Sequence, residues 1–396
     1  RRCGNRAADG EYVSLAALSH FGQEMFRPPF AGTSRHKVER WLEFFVGFWD
    51  REMAENPGSI LFDEGVAGVW NALHQLAPRY QWRVISLTAA RIPDRLHVSC
   101  NRYDSILPFD SDATAGAEHG DQAYSKEVLA RAYNLPWANR KQTAMSSRRG
   151  PLRLARWISQ VVRNIKATAP PLEWFQYSYA FSYWRALTRS VRSLIDRAFR
   201  GWDGLEAGKK KVVVFFQVEP EATLYVVGRD LFDQRQLVHE IRNALPPGWL
   251  VYVKDHPFMQ GAREGSYLRE LRKLPFVRVL RTKRSSRPIV ETAEVVVTVS
   301  GSVGYQALMA GKPVIAFGDA FYSNFPGVYS RDEISHLFGL LEAGQVPAID
   351  PEQIEAVYRA HTYPGNIVFA DSKMFHRENI RAVTDVIEWK AAHAAE

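Results

Sequence analysis

The chain predicts an α/β protein of two Rossmann-like domains that face a cleft and are joined by a helical segment. Three observations carry this expectation. Short apolar runs alternate with amphipathic stretches in both the N-terminal and the C-terminal parts, the pattern of βαβ units. Between residues 211 and 320 several runs end in polar signatures, as strands do when their carboxyl ends frame a ligand crevice. The stretch between these parts is helix-rich and basic.

Residues 1–120 form the first expected domain. HKVERWLEFFVGFWDREMAE reads as a helix, SILFDEG as a strand ending in Asp63, Glu64 and Gly65, VAGVWNALHQLA as a helix and WRVISLT as a strand. This βαβ order predicts a parallel sheet. DSDATAGAEHGD is polar and contains Gly, and reads as a mobile loop.

Residues 121–208 are the expected helical linker. LRLARWISQVVRNIKA sets Leu154, Trp157, Ile158, Val161, Val162 and Ile165 at helical spacing, with Arg153, Arg156, Arg163 and Lys166 off that stripe. PPLEWFQYSYAFSYW follows with seven aromatics, then a second helix, then the linker GWDGLEAGKKK. Residues 209–372 make the second domain, with KVVVFFQ, WLVYVKD, FVRVL, EVVVTVS and PVIAF as strands. Residues 373–396 supply a C-terminal helix expected to pack back on the first domain. Two such domains joined by a helical linker correspond to the GT-B arrangement.

A chain of 396 residues suits two domains. With 46% apolar and 24% charged residues it has a globular composition. No run approaches the ~20 apolar residues of a membrane span. No secretory signal is read, and the opening RRCGNRAADG, which lacks Met, has the look of a trimmed fragment. Cys3 and Cys100 are the only cysteines, which suits a reducing cytoplasm and excludes a disulfide framework. The net charge is +8, and residues 146–200 alone hold eleven Lys or Arg against Glu173 and Asp196. Such a patch suits an anionic partner. No nucleic-acid-binding module accompanies it, and nucleic acid is not expected as a partner.

The strand ends supply the candidate site. Ser300, Gly301 and Ser302 make a small-residue turn into a helix whose N-terminus favours a phosphate; Ser300 or Ser302 is expected to cap it. An ordinary Ser-capped helix would look the same, and the spacing is neither GxGxxG nor a P-loop. His256 and Pro257 leave a strand at a corner that presents the His to a phosphate, with Lys254 expected at the same rim. A plain surface His is the alternative. Gln217, Glu219 and Glu221 close another strand, where carboxylates bind hydroxyls or move protons, unless they form a solvated turn around Pro220. Asp63 and Glu64 are general-base candidates facing the cleft from the first domain, or else helix N-terminal charges. Arg91 and Arg95 follow the next strand and suit an anionic acceptor or donor carboxylate, or are surface arginines. No metal-binding Asp-x-Asp is read, and no metal site is expected.

Taken together, QVEPEAT, Asp233-Gln234, VYVKDHP, Leu274-Pro275 and VSGSVGYQALMAGKPVIAFGDAFY resemble the bacterial capsule polysaccharide biosynthesis family, which includes the capsule Kdo transferases. The likeness covers about residues 211–330, with a weaker one at ILFDEG and ARIPDR. It implies a GT-B glycosyltransferase acting without a cofactor on a nucleotide sugar, CMP-Kdo being the implied donor, with a surface-polysaccharide or lipid-linked glycan as acceptor. It puts His256 and the 300–302 turn at the nucleotide phosphate, with Gln217 and Glu219 nearby. One departure is Gln306-Ala307-Leu308, where the family usually carries Glu-Ala-Leu; Gln keeps a carbonyl acceptor for ribose hydroxyls but loses the charge.

Residues 148–166 also read as an interfacial helix, which would make a cytoplasmic enzyme peripheral at the inner membrane; a buried linker helix is the competing reading. Competing functions are a nucleotide-sugar epimerase or a polyol-phosphate transferase of the same fold, and a non-catalytic polysaccharide- or membrane-binding protein.

Overall fold

The computed structural model describes residues 35–58, 60–63, 73, 76–99, 107, 109, 204–219, 224, 231, 233–263, 266–282, 284–367 and 372–393. The expected loop at 110–121, the basic helical segment through 203, Glu64, Glu221 and both cysteines lie outside these residues.

Helix α1 (Arg35–Glu55) leads to β1 (Ile60–Asp63). Strands β2 (Arg83–Ala89) and β3 (Arg95–Ser99) follow. β1 and β2 pair in parallel, Asp63 opposite Ser86, as the βαβ pattern predicts. β2 and β3 are instead antiparallel. A crossover to a parallel neighbour needs about a dozen residues, and only residues 90–94 join these two strands, so the chain turns back as a hairpin.

The second domain runs β4 (Lys210–Phe215), α2 (Arg235–Ala244), β5 (Trp249–Lys254), α3 (Tyr267–Arg272), β6 (Val277–Val279), α4 (Ser286–Thr292), β7 (Val295–Thr298), α5 (Ser302–Met309) and β8 (Val314–Ala316). It continues with β9 (Val328–Ser330), α6 (Ile334–Ala343) and α7 (Pro351–Ala360). The strands form one parallel sheet in the order β6-β5-β4-β7-β8-β9. This is the doubly wound order, with its switch point between β4 and β7. β9 is a sixth strand that sequence reading missed.

Both faces of the sheet are buried, which explains the unbroken valine runs. Val213, Phe215, Tyr252 and Val296 face one core with α5 and α7. Val212, Val214, Val251, Val253, Val295 and Val297 face the other with α2 and α6. Each fully buried valine contributes about 1.5–3 kcal/mol of apolar transfer.

After α7 the chain returns to the first sheet earlier than the expected boundary at 373. β10 (Tyr363–Pro364) pairs antiparallel with β3. Helix α8 (Arg377–His393) sets Val383 and Val386 against the cluster of Ile85, Leu96 and Val98. The first sheet thus has the order β1-β2-β3-β10.

Residues after β2 and after β3 dock on the second domain. Ile92 and Leu107 join the core that holds Tyr305, Phe325 and Tyr358. Leu107 N–H donates to the Phe321 carbonyl at 2.9 Å, and Asn324 Nδ2 donates to the Leu107 carbonyl at 3.2 Å. Arg91 N–H donates to Tyr358 Oη at 2.9 Å. These contacts put Arg91 on the α5 and α7 side of the larger sheet.

Candidate functional site

The carboxyl ends of β4, β5 and β7 stand side by side because those strands are neighbours in the sheet. At the switch point the Gln217 side chain spans the gap between β4 and β7. Its Oε1 accepts the Ser300 N–H at 3.1 Å, and its Nε2 donates to Ser300 Oγ at 3.4 Å. Gln217 is itself fixed by Gln234, which is fully buried: Gln217 N–H donates to Gln234 Oε1 at 2.6 Å, and Gln234 Nε2 donates to the Gln217 carbonyl at 3.2 Å. Gln217 therefore clamps the 300–302 turn.

That turn enters α5 through Gly301, the N-cap, and no side chain caps the helix. The expected Ser cap is absent because Ser300 is engaged by Gln217 and Ser302 is already the first helical residue. The Gly301 N–H is taken by Thr298 Oγ1 at 3.2 Å, and the Gly301 carbonyl accepts from Tyr322 Oη at 2.6 Å. Amides of the first turn of a helix have no intrahelical partner, and with the positive end of the dipole they suit an anion. Gly304, one turn in, is required by packing: a Cβ there would meet Tyr322 Oη at 2.2 Å. Gln306 is half-buried on the same helix.

Loop residues after β5 form the second wall. Asp255 is buried, and its Oδ1 accepts the His256 N–H at 2.8 Å. His256 is half-buried and opens the short 3-10 turn Pro257–Met259. Burial, then the charges of Lys254 and Arg263, push the His256 ring down to about 4, so at neutral pH it is an uncharged imidazole. Lys254 does not reach this rim. It is 2% exposed, and its Nζ donates to the carbonyls of Asp255 at 3.0 Å and Thr282 at 2.6 Å. Burial lowers it to about 8, with Asp255 opposing.

Glu219 is also committed. Its Oε2 accepts from Arg263 Nη1 at 2.6 Å, and its Oε1 accepts from Gln234 Nε2. Arg263 is the residue that sequence reading missed. Its Nε donates to Asp255 Oδ1 at 2.9 Å and its Nη2 to the Gln217 carbonyl at 2.8 Å, while its plane lies 4.8 Å from the Tyr267 ring centre and 5.3 Å from that of Phe216. Burial raises the Asp255 carboxyl, and Arg263 opposes that rise. Nothing in the string MQGAREGS marks Arg263, since its partners are far away in sequence.

From the first domain, the Arg91 charge reaches Tyr322, whose buried hydroxyl is raised by desolvation and lowered by Arg91. Tyr322 in turn holds Gly301, and the Arg91 backbone is held by Tyr358. Arg95 follows β2 as the first residue of β3, and its guanidinium grips the end of α7: Nε donates to Thr362 Oγ1 at 2.7 Å, and Nη2 donates to the carbonyls of Arg359 at 3.1 Å and Thr362. Asp63 is the last residue of β1. Among the described residues no group of three or more His, Cys, Asp or Glu is placed to hold a metal, and no helix is long and apolar enough to cross a membrane.

Residues 176–338 match the family model described as capsule polysaccharide biosynthesis protein. The matched segment contains the whole rim built by β4, β5 and β7. Among solved structures, the chain is similar to the beta Kdo 2,7 transferase KpsC of Thermosulfurimonas dismutans, at 16% identity and a TM-score of 0.40, over 87% of this chain and 89% of that one. It is also similar to the beta Kdo 2,4 transferase KpsC of the same organism, at 18% identity and a TM-score of 0.35, over 74% and 84%. The wall teichoic acid polymerase TagF gives 12% identity and a TM-score of 0.26, over 53% and 49%. No curated protein sequence matches the chain.

Proposed function

We propose that the protein is a GT-B glycosyltransferase that moves a sugar from a nucleotide donor, CMP-Kdo in this reading, to a surface-polysaccharide or lipid-linked glycan. The observation that carries this is the Gln217–Ser300 clamp. It holds an uncapped helix N-terminus at the switch point of a doubly wound sheet, in a segment that matches the capsule polysaccharide biosynthesis model. Doubly wound sheets bind nucleotides at this crevice.

In this reading the acceptor hydroxyl attacks the anomeric carbon of the donor. The bond between that carbon and the phosphate oxygen breaks, and its electron pair stays on the departing nucleotide phosphate. The first amides of α5 and the neutral His256 ring, as a hydrogen-bond donor, stabilise the developing charge. Arg91 adds a positive charge from the first domain. A carboxylate, Asp63 or Glu64, takes the acceptor proton. Glu219 and Lys254 do not share in this chemistry, because Arg263, Gln234 and two backbone carbonyls occupy them. Residues 148–166, with their basic face and apolar stripe, are the proposed contact with the cytoplasmic face of the inner membrane.

The test is turnover. Purified protein is incubated with CMP-Kdo and, separately, with UDP- and GDP-sugars in the presence of capsule-type glycan acceptors. Free CMP released together with an extended glycan supports the reading. Absence of release and extension from every donor, in protein shown to be folded, overturns it.

A further inference from the structure

One buried side chain joins the walls of the rim. Arg263 reaches the loop after β4 through Glu219 Oε2 at 2.6 Å and the Gln217 carbonyl at 2.8 Å, and the loop after β5 through Asp255 Oδ1 at 2.9 Å. That same Asp255 oxygen holds the His256 N–H, and Gln217 holds Ser300. All three donor-side elements are therefore reached from one guanidinium. With its side chain 4% exposed, Arg263 lies behind the rim and acts only through these partners.

We propose that Arg263 is the positioning residue of the donor site, its fork fixing His256 and the Gln217–Ser300 clamp in one geometry. The inference rests on the reading of this rim as a nucleotide-sugar site. The chemistry favours arginine specifically. Three diverging acceptors are met by three separate N–H groups of a rigid plane, and its Cζ lies over the Tyr267 and Phe216 rings. A lysine has the charge but one nitrogen, and so cannot hold three acceptors that far apart.

The charged groups around His256 are Lys254 and Arg263, with Asp255 on its backbone and Glu219 beyond Arg263. Replacing Arg263 therefore changes both the placement of the ring and its surroundings, which a residue serving stability alone would not do.

The test uses Arg263→Lys and Arg263→Met in the full chain, with calorimetric titration against CMP, CDP, UDP and GDP, thermal melting, and NMR titration of the His256 ring. The expected result is a folded Arg263→Lys protein that binds the wild type's nucleotide at least tenfold more weakly, and partial recovery of binding by Arg263→Met in millimolar methylguanidinium. In both variants the His256 ring signals move, and in Arg263→Met the ring titrates at higher pH than in wild type. Binding by folded Arg263→Lys within about twofold of wild type overturns the proposal. If wild type binds no nucleotide, the donor reading fails by itself; the positioning role is then judged on the ligand-free NMR titration, where unchanged His256 signals overturn it. Failure of both variants to fold makes Arg263 a stability residue only and overturns it too.

Discussion

Gln217 and Ser300, 83 positions apart in the chain, are joined by two hydrogen bonds across the switch point of the larger sheet. The bonds exist because β4 and β7 are neighbours although two strands and their helices intervene in sequence. They give the turn before α5 a fixed height relative to the loop that carries Glu219.

Replacing Gln217 with Leu removes both bonds. The Ser300 N–H loses its partner, which costs about 1–2 kcal/mol for a partly buried amide. Chemical denaturation should show that loss, and nucleotide affinity should fall by more than tenfold. Unchanged affinity in the folded variant would show that the turn needs no clamp.

Gly304→Ala tests the packing beneath the same turn. The added methyl meets Tyr322 Oη at 2.2 Å, and Tyr322 is fully buried. Overpacking of this kind costs about 1–3 kcal/mol. The Tyr322 bond to the Gly301 carbonyl should break, and a crystal structure of the variant should show the 300–302 turn displaced.

The pH dependence follows from His256. Its ring is lowered from 6.5 to about 4, first by burial and then by Lys254 and Arg263. Between those values the unfolded chain binds more protons than the folded one, so stability falls as pH is lowered through that window. Melting curves of wild type and His256→Asn should diverge below pH 6.5, with wild type losing more. A bound phosphate should raise the ring's pKa, which NMR titration with and without CMP would detect; an unmoved pKa at saturating CMP would place the phosphate elsewhere.

Arg95→Ala separates architecture from the site. Its guanidinium ties β3 to the end of α7 through Thr362 and the Arg359 carbonyl. The variant should lose about 1–3 kcal/mol while binding nucleotide as wild type does. A large affinity loss without a stability loss would restore Arg95 to the site.

Much of the second domain was legible because its signals are local. Valine runs marked β4, β5 and β7, and the small residues at 300–304 marked the turn into α5. β9 was not, since three residues ending at Ser330 carry no periodicity until β8 lies beside them. The antiparallel half of the first sheet was hidden for a related reason: β10 is two residues contributed from beyond α7. Within the site, the types and places of Gln217, His256 and Ser300 were readable, but their employment was not. Lys254 and Glu219 look free as sequence and are occupied in the fold, by the carbonyls of Asp255 and Thr282 and by Arg263. Arg263 lacked any local mark because all three of its polar partners come from other segments.

The most direct measurement is isothermal titration of the purified protein with CMP, UDP, GDP and CDP, with His256→Ala alongside. The expected result is saturable binding of one nucleotide, CMP for a Kdo donor, and its loss in the variant. No binding of any of the four by folded wild-type protein would contradict a nucleotide-sugar site between β4, β5 and β7.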